Sequence, residues 1–228
     1  MVKLFLDGAD ALLENAFNPA ISGFTTNPTL MKKAGVTDYE SFALKVLLKV
    51  TQKPVALEVL SDDFDEMYEQ ALKISSWGEN VNVKIPVMNT AGESSLPLIK
   101  KLVRKNININ VTAITTIEQV KQLVPVLHWA KYGYISIFAG RIADTGVDPV
   151  PSMKKIVSLM KKCPNIEIIW ASAREIYNVV QAEECKCHYI TIGIDLYKKL
   201  PLLGVSLEEM SLRTVKMFNE DGQSFHIR

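Results

Sequence analysis

Short runs of β-branched and aromatic residues alternate along this chain with longer segments whose apolar residues recur at helical spacing. The candidate strands are VKLFLD (Val2 to Asp7), GFTT (Gly23 to Thr26), PVALEVL (Pro54 to Leu60), VNVKIPV (Val81 to Val87), ININVTAI (Ile107 to Ile114), YISIF (Tyr134 to Phe138), EIIWAS (Glu167 to Ser172) and YITIG (Tyr189 to Gly193), eight in all. Helical periodicity covers Tyr39 to Val50, Ser61 to Trp77, Gly92 to Lys105, Thr116 to Lys131, Pro151 to Lys162 and Arg174 to Ala182. In the second of these, Ser61 is placed to cap, and Phe64, Met67, Ala71 and Ile74 share a face. Eight strands alternating with helices over 228 residues predict an α/β fold, a (β/α)8 TIM barrel, because such barrels run near about 250 residues. No linker or composition shift divides the chain, so residues 1–228 read as one domain closed by an additional C-terminal helix near Ser206 to Asn219.

The polar residues inside these apolar runs give the pattern its direction. In a parallel strand covered on both sides, alternate residues face the barrel axis and the helix layer. Val81, Val83 and Ile85 suit the helix layer, which sends Asn82, Lys84 and Pro86 inward. The next run repeats the phase: Ile107, Ile109, Val111 and Ala113 alternate with Asn108, Asn110 and Thr112. Further polar groups fall at strand ends: Asp7 on the first, Thr25, Thr26 and Asn27 on the second, and Glu58 on the third. Ser136 and Phe138 share a face of the sixth with Arg141 beyond, and Ser172 closes the seventh just before Arg174. Barrel enzymes build their sites at the C-terminal ends of the strands, so these residues form one candidate site.

Composition narrows the function classes. Lys+Arg is 26 against Asp+Glu 25, and a net charge of +1 gives no reason to expect a nucleic acid partner. The N-terminal run is too short and too quickly acidic for a signal peptide, and no stretch approaches the roughly 18 apolar residues of a membrane helix. A cytoplasmic protein without a membrane partner is the expectation. Three cysteines make no disulfide framework. Cys185, Cys187 and His188 lie together, but they precede the eighth strand, supply too few ligands for a metal, and read as packing residues on the opposite face. His128, beside Trp129, and His226, near the C-terminus, read as structural or exposed.

A lysine amine is protonated at neutral pH, but desolvation favours the neutral form, which attacks a ketone to give an imine. The protonated imine is an electron sink. The structural alternative is a buried Lys84 paired with Asp7 or Glu58, although buried ion pairs seldom repay their desolvation.

GFTTNPTLM (Gly23 to Met31) resembles the Thr-Thr-Asn-Pro signature of transaldolases, and NVKIPV (Asn82 to Val87) resembles their Schiff-base lysine motif. LD on the first strand, INVTA on the fifth, FAGRI on the sixth and WASAR on the seventh extend the likeness over nearly the whole chain, whose length is similar to the small transaldolase and fructose 6-phosphate aldolase-like subfamily. The resemblance implies a transferase of the pentose phosphate pathway that moves a dihydroxyacetone unit from fructose 6-phosphate or sedoheptulose 7-phosphate to an aldose phosphate, with no metal or organic cofactor. It makes Lys84 the imine nucleophile, Asp7 the acid and base of the aldol step, and Glu58, through a water held with Thr112, the proton shuttle of imine formation. Thr26 belongs to the signature lining the substrate. Asn27 and Asn110, with Ser136, would bind the dihydroxyacetone hydroxyls, and Arg141, Arg174 and Ser172 the phosphate.

In this family, transferases carry Glu and Phe at the positions of Glu58 and Phe138, whereas the fructose 6-phosphate aldolases carry Gln and Tyr; that contrast favours transfer. Fructose 6-phosphate aldolase remains the alternative, with a non-catalytic sugar phosphate binding barrel behind it. Three departures from the family pattern stand out. Met88 replaces a Ser or Thr after the lysine, which bears on rate; Phe24 is bulkier than usual; and Ala173 replaces a common Phe, widening the phosphate end. The resemblance also implies a homo-oligomer, pentamer or decamer. Leu207, Met210, Leu212, Val215 and Phe218 of the last helix suit a neighbouring copy, or equally the chain's own barrel.

Overall fold

The structure, a computed structural model, describes residues 2–225. Eight parallel strands close into a barrel in chain order: β1 (Lys3–Asp7), β2 (Ile21–Thr25), β3 (Val55–Glu58), β4 (Val81–Pro86), β5 (Ile109–Ile114), β6 (Gly133–Ile137), β7 (Ile166–Trp170) and β8 (Tyr189–Gly193). Around and above them run α1 (Asp10–Glu14), α2 (Pro28–Lys33), α3 (Tyr39–Lys49), α4 (Phe64–Ser75), α5 (Leu96–Arg104), α6 (Ile117–Leu127), α7 (Ala139–Asp144), α8 (Pro149–Met160), α9 (Tyr177–Glu184), α10 (Ile194–Tyr197) and α11 (Leu207–Gly222). The expected (β/α)8 barrel is therefore the observed fold. The short α1, α2, α7 and α10 are additions that carry too few residues to show periodicity.

The helix layer is where the core lies. Val81, Val83 and Ile85 of β4 and Ile109 and Val111 of β5 are buried in it, against Leu98, Leu102 and Val103 of α5. Each such side chain, fully buried, contributes about 1.5–3 kcal/mol. Phe24 is part of this layer too, wholly buried, so its bulk faces the helices and leaves the barrel interior unaffected. Inside the barrel, the lower half is filled by Phe5, Tyr134, Ile169 and Tyr189, with ring pairs such as Phe5 and Tyr134 meeting edge to face at 5.5 Å. The Tyr132 hydroxyl donates to Glu167 at 2.8 Å from the same end. Gly23 leaves room for this filling, since a Cβ there would lie 2.5 Å from the Phe5 ring.

Several boundaries differ from the expectation for identifiable reasons. α4 is capped by Asp63, whose carboxylate accepts from the N–H groups of Asp65 and Glu66, whereas Ser61 lies before it and donates to Glu66. α8 starts at Pro149 behind the Asp148 cap, a first-turn proline costing no hydrogen bond. The segment expected to begin a helix at Gly92 instead forms a hairpin, with Met88 bridged to Ser94, and α5 begins only at Leu96. Arg174 lies in the loop before α9 rather than in a helix. Ala113 breaks the alternation of β5: its φ of 60° turns it out of the helix layer, and the register with β6 slips between Val111 and Ile114.

α11 settles the question left by its apolar residues in one respect. It has no buried residue: of the five expected apolar residues Leu207, Leu212, Val215 and Phe218 are exposed and Met210 is half-buried, and Met217 is exposed as well. Cys163, Cys185 and Cys187 are buried free thiols, and burial pushes the Cys187 thiol up to about 12. His188 Nδ1 accepts from the N–H of Ile168, and His128 is exposed, its Nδ1 2.9 Å from the Lys162 carbonyl. His226 lies outside the described residues. Among the described residues no group of three or more His, Cys, Asp and Glu is arranged to hold a metal, and no helix is long and apolar enough to cross a membrane.

Candidate active site

A cavity of about 490 Å³ opens at the C-terminal ends of the strands. At its floor is Lys84, whose side chain is only 6% exposed; its Nζ lies 2.8 Å from Glu58 Oε2 and donates to the Thr26 carbonyl at 2.6 Å. The strand register explains the company it keeps, since Lys84 pairs with Glu58 on β3 and with Asn110 on β5. Three neighbouring strands with the same inward phase thus bring an amine, a carboxylate and an amide to one level.

Asp7 approaches from β1. Thr25 Oγ1 donates to its Oδ1 at 2.9 Å and Asn27 Nδ2 to its Oδ2 at 3.3 Å. Thr25 has one proton and spends it on Asp7, so the Thr191 hydroxyl, 2.7 Å away, is the donor in the bond between the two threonines. Burial pushes the Asp7 carboxyl above its ordinary range, and the nearby Lys84 charge and the Thr25 bond oppose this without cancelling it. Asp7 therefore holds a proton more readily than a surface aspartate.

The Thr-Thr-Asn-Pro run owes its geometry to a helix start. Asn27 is the extended N-cap of α2, its Oδ1 accepting from the Leu30 N–H at 3.0 Å, and Pro28 takes the first helical position. With its oxygen committed to the cap, the Asn27 amide nitrogen is turned to Asp7. Thr26 behaves differently from the expectation: it is fully buried, its hydroxyl donates to the Ala56 carbonyl, and it lies behind the cavity wall, meeting Lys84 only through its own carbonyl.

On β5 and β6, Ser136 Oγ donates to Asn110 Oδ1 at 2.8 Å. Asn110 is buried below the cavity lining, and its Nδ2, like Thr112 Oγ1, has no partner among the described residues. Unpaired buried donors of this kind are costly, so both are groups that a bound ligand or water would satisfy. Phe138, Arg141, Ser172 and Arg174 line the other end of the cavity. Ser172 has a φ of 62°, a left-handed conformation unusual for serine, and Gly140 is the reason it can be accommodated: a Cβ on Gly140 would lie 1.6 Å from the Ser172 carbonyl oxygen. Arg174 pairs with Asp144 through Nε and Nη2. Ala173 lines the cavity as well, while Met88 sits on the hairpin outside it.

Of the twelve expected site residues, Asp7, Asn27, Glu58, Lys84, Thr112, Ser136, Phe138, Arg141, Ser172 and Arg174 line this cavity, and Thr26 and Asn110 stand directly behind it. Thr191 also lines the cavity and is not among the expected site residues, although the alternation of YITIG puts it on the inward face. Tyr39 left no comparable signal. It comes from α3, outside the barrel, and its hydroxyl donates to the Glu58 carbonyl at 2.9 Å, with burial and the Glu58 charge pushing its pKa well above the ordinary range, so that it stays protonated.

The family described as transaldolase/fructose-6-phosphate aldolase matches residues 4–227. The chain belongs to the transaldolase/fructose-6-phosphate aldolase family. A protein of Streptococcus pyogenes serotype M5 named "Probable transaldolase" is 32% identical over 229 residues, covering 98% of this chain and 99% of its own. Another of that name from Dehalococcoides mccartyi is 31% identical over 194 residues, 84% of this chain and 86% of its own. The barrel of this family member is also similar to a Streptococcus agalactiae protein assigned as the copper homeostasis protein CutC, with a TM-score of 0.63, 14% identity, and coverage of 85% of this chain and 98% of the other. At that identity the likeness concerns the fold alone.

Proposed function

We propose that the protein is a transaldolase that carries a dihydroxyacetone unit from a ketose phosphate, fructose 6-phosphate or sedoheptulose 7-phosphate, to an aldose phosphate through an imine on Lys84. The observation that carries this reading is the buried Lys84 amine on the floor of a polar cavity, 2.8 Å from a carboxylate able to take its proton. Glu58 accepts that proton, and the free amine adds to the ketose carbonyl. Loss of water from the carbinolamine needs a proton donor and a place for the departing water; Glu58 supplies the first, and the unpartnered Thr112 hydroxyl supports the second. Asp7 then takes the proton from the hydroxyl beside the carbon–carbon bond as that bond breaks, leaving an enamine on Lys84. Its raised affinity for a proton suits a group that must hold one until the acceptor aldehyde arrives.

Asn27 and the free Asn110 amide bind the dihydroxyacetone hydroxyls, with Ser136 orienting Asn110. Arg141 and Arg174, with Ser172, take the phosphate through charge and a planar fork of donors. Phe138 supports transfer over hydrolysis, because its ring lines the cavity and offers no hydroxyl to hold a water against the enamine. The reaction belongs to carbohydrate metabolism in the pentose phosphate pathway, and a cytoplasmic location follows from that reading. The exposed apolar residues of α11 support a homo-oligomer, a pentamer or decamer, in which a neighbouring copy covers this helix.

Borohydride reduction in the presence of fructose 6-phosphate, followed by peptide mass spectrometry, tests the imine; an unmodified Lys84 would end it. Product analysis with and without erythrose 4-phosphate separates the two family activities. Transfer requires the acceptor, and rapid release of free dihydroxyacetone without it would make the enzyme a fructose 6-phosphate aldolase.

A further inference from the structure

The guanidinium of Arg174 is held by a group that lies outside the candidate active site. Asp144, the last residue of α7, receives Arg174 Nε on both carboxylate oxygens, at 3.0 and 3.1 Å, and Nη2 on Oδ2. These two nitrogens form one side edge of the planar fork. Nη1, and the end of the fork that it shares with Nη2, has no recorded partner among the described residues. The two residues border different spaces: Arg174 lines the cavity that contains Lys84, whereas Asp144 lines a second one of about 680 Å³ next to it, with Thr115, Thr116 and Thr145. The carboxylate thus occupies the Nε side of the guanidinium and leaves its Nη1 end without a partner among the described residues.

The main chain of the same arginine is fixed independently. The N–H groups of Arg174 and Glu175 both donate to Asn178 Oδ1, at 2.7 and 3.2 Å, and Asn178 is itself buried. Backbone and head group are thus each tied down, which leaves the flexible stem little freedom. An ion pair this exposed, with both side chains more than two-fifths accessible, adds little to stability. Its geometry is better accounted for by orientation.

We propose that Asp144 is a positioning residue, holding the Arg174 guanidinium side-on so that its free end is presented to the phosphate of the sugar substrate before that substrate binds. The inference rests on the reading of Arg174 as a phosphate ligand. An arginine left free would have to be immobilised at the moment of binding, a cost worth about two- to tenfold in affinity. A carboxylate competing for the same edge would act in the opposite sense, weakening phosphate binding by its presence.

The test compares wild type, Asp144→Ala, Asp144→Asn and Arg174→Ala in two assays. The first is the dissociation constant for inorganic phosphate by calorimetry, which does not depend on catalysis. The second is the ratio of kcat/KM for fructose 6-phosphate to that for unphosphorylated fructose. Positioning predicts that Asp144→Ala raises the phosphate dissociation constant up to tenfold and lowers the ratio to the same extent, through KM for the phosphorylated donor. Asp144→Asn, which keeps one acceptor oxygen, falls between. Tighter phosphate binding in Asp144→Ala, an unchanged ratio, or an equal loss with both donors would overturn the proposal. If Arg174→Ala itself leaves phosphate affinity unaltered, the phosphate assignment fails with it; if Arg174→Ala weakens binding and Asp144→Ala does not, only the positioning role is lost.

Discussion

Gly140→Ala perturbs the end of the cavity lined by Ser172 and Arg174 by a single methyl group. That carbon would stand 1.6 Å from the Ser172 carbonyl oxygen, 2.7 Å from its carbonyl carbon and 3.2 Å from Arg174 Cγ. Atoms of this kind essentially never approach within 3.0 Å, so the loop just after β7 would have to retreat by at least about 1.4 Å. The obstacle is backbone, in a segment already held at a positive φ, and it offers no side chain to swing aside. Overpacking of this kind costs about 1–3 kcal/mol of stability. A displacement of about 1 Å in a group that positions the substrate costs about 10²-fold in rate, or about 2.7 kcal/mol of transition-state stabilisation. Coupled kinetics with fructose 6-phosphate should therefore show a loss of about two orders of magnitude in kcat/KM. Borohydride trapping of unphosphorylated dihydroxyacetone on Lys84 serves as the control, because Lys84 sits on β4, away from the disturbed loop after β7. A folded Gly140→Ala protein with unchanged kcat/KM for fructose 6-phosphate would refute the reasoning, as would equal losses in the kinetic and trapping assays.

Three further outcomes follow from the same geometry. Glu58→Ala should destabilise by about 3–5 kcal/mol in urea titrations, because it strands a buried Lys84 charge, and Glu58→Ala combined with Lys84→Met should recover much of the loss; a single-mutant cost below about 1 kcal/mol would mean that cavity water solvates the amine. Asp7 has a folded-state affinity for its proton above that of the unfolded chain, so the stability it confers is full below about pH 3.9 and is lost as pH rises through the folded value. Asp7→Asn should thus match wild type in thermal midpoint at low pH and exceed it at neutral pH while losing activity, and a difference independent of pH would contradict this account. Asp63→Ala should cost about 1 kcal/mol through loss of the α4 cap, with Ser61→Ala costing clearly less; the reverse order would restore Ser61 as the cap.

Two periodicities in the sequence carried most of the fold and a good part of the candidate site. The alternation within VNVKIPV and ININVT is enough to aim Lys84, Asn110 and Thr112 at the barrel axis, because a strand with both faces covered has only two directions for a side chain. The alternation failed at Ala113, where a positive φ and a register slip rotate one residue out of phase. Thr26 shows a second limit. Its place in the signature pointed to the substrate, yet the strand's alternation faces its side chain away, towards the Ala56 carbonyl, and assigns the contact with Lys84 to its backbone oxygen.

What the sequence by itself determined was local: where the eight strands and the longer helices run to within a few residues, and which strand residues share the inward face. These follow from dihedral preference, side-chain period and capping, all set within a few residues of chain. Only the tertiary structure decided the pairings between distant segments. The closed barrel brings Glu58 to 2.8 Å from Lys84 rather than leaving the lysine to Asp7, lays Thr191 against Thr25, reaches Tyr39 in from the helix layer, and backs Arg174 with Asp144. Each of these depends on barrel closure, strand stagger and loop path, and those are properties of the whole chain packed on itself, which no short stretch of sequence contains.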